Sequence, residues 1–310
     1  MNSGWIYREQ VNPSAEGLTV LEYYTNYYRH SSQMEWQTRI QAGQVLLDGT
    51  QTTAETHLKR GQCLTYHRPP WQEPEVPLDF AIAYEDSDLL VVAKPSGLPV
   101  LPGGGFLEHT LLWQLQQRYP QETPIPIHRL GRGTSGLILL ARSPAVRAAL
   151  SKQMRDQQMH KIYRTLVCGT SLPDRFTITQ PIGKIPHPVL GHVYAAHGDG
   201  LPAQSECQVL QRYADTSLLE VQILTGRPHQ IRIHLAAAGY PLLGDPLYGV
   251  GGVPLTVEEA TPGSLPVPGD CGYHLHALHL AFTHPSSGQP LHLTCPAPPA
   301  LELDSPAACG

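Results

Sequence analysis

Basic residues run out well before the chain does: from Pro241 to Gly310 there is no Lys or Arg. The net charge of −5 and pI near 6.3 exclude a protein that holds nucleic acid by bulk electrostatics alone. No run of about 18 apolar residues occurs, which excludes an ordinary membrane-spanning helix. The start, MNSGWIYREQ, has neither the basic head nor the apolar segment of a secretion signal, so the expected location is cytoplasmic with no membrane partner. The six cysteines (Cys63, Cys168, Cys207, Cys271, Cys295, Cys309) form no C-x-x-C pair, and a chain of 310 residues that is 41% hydrophobic has no need of disulfide staples. Sixteen histidines invite a metal, most of all at HLHALH. On a strand, His274 and His276 would share a face and His279 would not, an alternation equally normal for a plain strand. The expectation is no metal.

What charge there is lies unevenly. Eight cations (Arg129, Arg132, Arg142, Arg147, Lys152, Arg155, Lys161, Arg164) face a single acid, Asp156, between His128 and Arg164. Upstream, Gly17 to His67 reads as helix, helix, hairpin. TVLEYYTNYYRH carries apolar groups at helical spacing, Ser32 and Glu35 form a capping box, and Asp48-Gly49 separates two extended runs. The main cations here are Arg29, Arg39, Lys59 and Arg60. Four prolines in RPPWQEPEVPLDF stop both helix and central strand, which predicts a boundary between a module at 1–75 and a larger domain at 76–310. Downstream, FAIAYEDSDLLVVAKPSG reads as strand, turn, strand; LEHTLLWQLQQRY and SPAVRAALSKQMRDQQ as helices; KIYRTLVCG and SLLEVQIL as strands. PHQIRIHLAAAG reads as a helix opened by Pro228 and closed by Gly239. The Gly- and Pro-rich stretch near 249–272 reads as a surface loop. Irregular interleaving of strands and helices points to an α+β fold with a mixed sheet.

The stretch IHRLGRGTSGLILLAR contains G-x-G-x-x-G at Gly131, Gly133 and Gly136. A dinucleotide loop needs a helix after it, to present its N-terminus to pyrophosphate. LILLA is short, apolar and followed at once by a capped helix, so it reads as strand. No acidic residue stands about 20 positions later on a second strand end, and H-R-D and D-F-G are absent. Nucleotide binding is set aside.

HRLGRGTSGLILLAR resembles instead the signature of RluA-type RNA pseudouridine synthases, H-R-L-D followed two residues later by T-S-G. LLVVAKPSGLPVLPG, KIYRTLVCG, LTGRPHQIRIHLAAAGYPLLGDPLYG and LHALHLAFTHPSSG supply the family's other landmarks in order, over about Phe80 to Pro298. The resemblance implies a pseudouridine-synthase-like α+β fold, with a mainly antiparallel mixed sheet flanked by helices. The upstream module resembles an S4-type RNA-binding domain. The implied activity is isomerisation of a flipped-out uridine in rRNA or tRNA without cofactor, by a protein that is monomeric. Tyr163, in K-x-Y, matches the tyrosine that stacks on the base, and Arg227, in T-G-R, the arginine that pairs with the catalytic aspartate. His128, Arg129, Arg132, Thr134 and Ser135 are expected to line the loop that meets the nucleotide. His229, Gln230 and Arg232 are expected at a helix start suited to phosphate.

The departure is at the aspartate itself, whose place is held by Gly131. A glycine there offers no side chain and admits positive φ, so a mobile loop is expected. Asp156 and Asp245 are the carboxylates to consider as substitutes. The alternative is an inactive relative that binds or remodels structured RNA.

Overall fold

The computed structural model describes residues 1–28, 30–187, 191–255 and 267–303. Arg29, Cys309 and the middle of the expected surface loop lie outside these. The chain divides into two compact units, one of residues 1–73 with His187 and Gly191, the other of Pro74–Pro186 with the residues from His192 onward.

In the first unit a four-stranded antiparallel sheet, in the order β1-β4-β2-β3, carries two helices. The elements run β1 (Trp5–Gln10), α1 (Val20–Tyr27), α2 (Gln33–Gln41), β2 (Val45–Leu47), β3 (Thr50–Gln51) and β4 (Cys63–Arg68). Both helices open with complete capping boxes, Thr19 with Glu22 and Ser32 with Glu35, each satisfying two backbone N–H groups that would otherwise be orphaned. Asp48 and Gly49 turn the β2–β3 hairpin with φ of 50° and 81°, the left-handed pair such a tight turn needs. An aromatic core closes over the sheet, with Trp36 stacked 4.6 Å from Tyr24 and edge-on to Tyr66. The strand β1 was not expected from its sequence, because most of its residues on both faces are exposed and no alternation marks it.

The second unit continues with β5 (Ala81–Glu85), β6 (Leu89–Lys94), α3 (Leu111–Arg118), β7 (Ile125–Pro126), β8 (Ser135–Ala141) and α4 (Pro144–Arg155). There follow β9 (His160–Cys168), β10 (Arg175–Ile178), β11 (Ile182–His187) and β12 (Gly191–Ala196), whose facing end residues His187 and Gly191 count with the first unit, then β13 (Ser205–Arg212), β14 (Thr216–Ile223), α5 (Gln230–Ala237), β15 (Leu275–Thr283) and β16 (Pro290–Thr294). The main sheet is ordered β10-β13-β14-β9-β15-β8-β6-β5, with β16 beside β15 and β7 beside β8; β11 and β12 form a separate ribbon. Among the described pairings of the main sheet only β15 with β8 is parallel. The mixed, mainly antiparallel α+β architecture is the expected one.

The two most apolar strands are buried on both faces. Leu90 and Val92 of β6 and Ile138 and Leu140 of β8 pack toward α3 and α5, while Leu89, Val91, Leu137 and Leu139 pack toward α4. Alternate side chains leave opposite faces of a strand, so covering both faces demands an unbroken apolar run. That is why LLVVA and LILLA carry no alternation. The helix expected from Pro228 begins at Gln230, after His229, which sits in the left-handed region at φ 55°. No described helix is long and apolar enough to cross a membrane.

Candidate functional site

The loop 128–134 is held from below by the end of β6. Lys94, almost wholly buried, donates through Nζ to three carbonyls, Pro95 (2.9 Å), Leu98 (2.8 Å) and Arg132 (3.2 Å). Ser96 Oγ donates to Gly133 O at 2.7 Å, and the Gly97 N–H to Arg132 O at 2.8 Å. The K-P-S-G segment thus fixes the path of the glycine loop. Gly136, at φ 103°, is required by contact: a Cβ there would lie 2.3 Å from the Ala277 carbonyl oxygen of the adjoining strand. Gly131 and Gly133 do not adopt positive φ. The left-handed backbone that glycine permits at 131 is therefore not used. What those two glycines accommodate is Tyr273, whose hydroxyl would stand 2.8 Å from a Cβ at 131 and whose ring would stand 3.0 Å from one at 133.

This loop forms one wall of a cleft of about 670 Å³, a size suited to a ligand as large as a nucleotide. His128, Arg129, Gly131 and Thr134 line it from the loop, and Tyr163 from β9. Arg227, His229, Gln230 and Arg232 line it from the T-G-R turn and α5. Nine of the eleven residues singled out from the sequence thus meet in one cavity. Arg132 and Ser135 do not line it. Arg132 turns its Nε to Gly269 O (2.6 Å) with its guanidinium near the Phe106 ring, and Ser135 Oγ bonds His276 Nδ1 at 2.8 Å. The second nitrogen of His276 is taken by Cys295 O, and among the described residues no cluster suits a metal ion.

Several of the nine serve as braces. Gln230 is buried, accepts from Thr225 Oγ1 (2.7 Å) and the Arg227 N–H (3.0 Å), and donates to Gln204 O and Ser205 Oγ. Its amide closes the T-G-R turn on itself and so aims Arg227. Arg232, 2% exposed, forms a two-pronged pair with Asp245 at 2.6 and 2.7 Å. His229 Nδ1 meets the Tyr248 hydroxyl at 2.8 Å; burial, helped by the nearby Arg232 charge, lowers its pKa to about 4, so it is neutral near pH 7. His128 is likewise lowered to about 4, by burial and then by Lys161, and its Nε2 accepts from the Leu139 N–H.

Lys161 and Tyr163 lie two residues apart on β9 and face the cleft together. Burial raises the Tyr163 hydroxyl to about 12 and lowers the Lys161 ammonium. Sequence reasoning passed over Lys161, Tyr273, His192 and Tyr194, which also line the cavity. The K of K-x-Y was the available signal for Lys161; nothing local marked Tyr273, which arrives from the far side of the chain.

No described carboxylate lines the cleft. Asp156 caps α4 and pairs with Lys152 at 2.5 Å, and Asp245 is consumed by Arg232, so neither substitutes for the missing aspartate. Arg227 instead donates through Nε to Pro202 O at 3.0 Å, and among the described residues Arg227, Lys161 and Arg129 form no ion pair. Cations without anions, beside a buried aromatic, make a site for an electron-rich planar ligand carrying phosphate.

Residues 88–237 match the family model for RNA pseudouridylate synthase. An uncharacterized RNA pseudouridine synthase of Synechocystis is 51% identical over 91% of this chain and 95% of its own length. The chain belongs to the RNA pseudouridine synthase family. RNA pseudouridine synthase 5 of Oryza sativa is 40% identical over 92% of this chain and 84% of that protein. Among solved structures, human RNA pseudouridylate synthase domain containing 1 superimposes with a TM-score of 0.56 at 26% identity, covering 74% of this chain and 89% of that one.

Proposed function

We propose that the cleft receives a uridine extruded from rRNA or tRNA and that the protein isomerises it to pseudouridine. The observation that carries this is the convergence of Tyr163, Arg227 and the H-R-L loop on one cavity, in a chain of this family. Tyr163 offers a ring face on which the base stacks, Arg227 and Lys161 supply positive charge, and Arg129, exposed at the rim, meets backbone phosphate. The isomerisation needs no cofactor. The first unit, with two capped helices beside a small sheet, acts as an S4-type RNA-binding module, its exposed Lys59 and Arg60 contributing charge. The protein works as a cytoplasmic monomer.

The lack of a described carboxylate in the cleft favours a second reading, an RNA-binding relative without turnover. Incubation of the purified chain with cellular rRNA and tRNA, followed by carbodiimide-dependent reverse-transcription stops, separates the two. New stops support the isomerase. RNA bound with a steep salt dependence but unconverted supports the binder. Absence of both overturns the proposal.

A further inference from the structure

We propose that the Tyr273 hydroxyl takes the place of the family carboxylate and acts as the nucleophile on C1′ of the extruded uridine; this rests on the isomerase reading above. The placement follows from sheet register. β15 runs parallel to β8, with His276 opposite Ser135 and Ala277 opposite Gly136, so the residue three before His276 arrives beside the glycine loop. There the phenol fills the volume an aspartate side chain would enter, its oxygen 2.8 Å from the Cβ that Gly131 lacks. An aspartate at 131 and a tyrosine at 273 in this position exclude each other. The glycine is thus the counterpart of the tyrosine rather than a simple loss.

Tyr273 is 4% exposed yet lines the cleft, and its ring packs 4.2 Å from the Arg232 guanidinium, which Asp245 holds in place. Among the described residues its hydroxyl has one hydrogen-bond contact, a long one of 3.3 Å with Thr134 Oγ1, leaving it capacity to engage a sugar. Burial holds its pKa above that of an ordinary phenol, against the influence of Arg232 and Thr134, so it enters the reaction as a neutral O–H.

The steps balance. Oη bonds to C1′ as the C1′–N1 pair moves onto the uracil, and the phenol proton passes to N1. After the base turns, the C5–C6 π pair bonds C5 to C1′, the Oη–C1′ pair returns to oxygen, and the C5 proton restores the phenol. Nothing is oxidised or reduced, and the product keeps one proton on N1. The charges of the cleft fit this route: the uracil departs with developing negative charge, and Lys161 and Arg227, uncommitted to any described carboxylate, stand ready to stabilise it. A tyrosine serves as nucleophile at an anomeric carbon in some glycosidases.

The test is Tyr273→Phe in the full chain, which keeps the ring and removes the oxygen. RNA affinity and melting temperature are expected to stay near wild type while single-turnover conversion falls by about 100-fold or more. Conversion within about threefold of wild type would overturn the proposal and leave the isomerase reading standing. Wild-type protein that converts no RNA would sink that reading first, and this one with it. In quenched single-turnover reactions a nucleotide-linked peptide containing Tyr273 supports the proposal; a linked peptide lacking it overturns it.

Discussion

Gly131→Asp restores the family residue to a loop that has no room for it. The backbone at 131 is outside the left-handed region, so a side chain meets no conformational penalty there; the obstacle is the Tyr273 hydroxyl, 2.8 Å from the new Cβ, with Thr134 Oγ1 at 3.4 Å. Tyr273 is packed against Arg232 and cannot simply swing into solvent. Overpacking of this kind costs about 1–3 kcal/mol. In a unit of this size that lowers the melting temperature by about 2–4 °C per kcal/mol. Tyr273→Ala alone costs about 3–5 kcal/mol for the cavity it opens. In the double variant the aspartate occupies part of that cavity, so the two losses are expected to fall short of additivity by at least about 1 kcal/mol. Calorimetry or denaturant titration of the four proteins, following the transition of the catalytic unit, measures the coupling. Additivity within about 0.5 kcal/mol would refute the claim that the two positions compete for one space.

Asp245→Asn leaves Arg232, 2% exposed, without its charge partner; loss of about 3 kcal/mol or more is expected in the same unfolding assay, and a melting temperature unchanged within about 2 °C would show the pair to be dispensable. Asp86 sits against the sheet end. Burial alone would raise its pKa, but hydrogen bonds from the Tyr84 hydroxyl, the N–H groups of Asp88 and Leu89, and His284 overcome that and hold it down to about 2. Because the folded value lies below the unfolded one, the stabilisation is complete above about pH 5 and is lost as the pH falls from about 4 toward 2. Asp86→Asn should flatten the acid limb of stability against pH in that window; an unaltered limb would assign acid sensitivity elsewhere.

The local elements were legible because their causes are local. Ser32 and Glu35 cap a helix wherever they occur at that spacing before an apolar face, and Asp48-Gly49 supplies the two left-handed residues of a hairpin. LLVVA and LILLA announce strands buried on both faces. The landmark motifs indicated the family and nine of the cleft residues. Arg132 and Ser135 lie within the same motif yet point elsewhere, because the twist of the loop and the parallel pairing with β15 decide which side chains face the cavity.

The sequence by itself determined the family, the order of the elements and the lack of the aspartate, since these depend on short-range pattern and on residue identity. Only the tertiary structure decided what the lack means. Position 131 and position 273 are 142 residues apart in the chain, and nothing short of the sheet register reveals that they share a volume. The same holds for Asp245 and Asp156: as residues either had the chemistry to substitute, but packing commits one to Arg232 and the fold leaves the other in a solvent-exposed pair with Lys152, outside the cleft. Side-chain chemistry is written locally, whereas availability is set by what the fold places within hydrogen-bond reach.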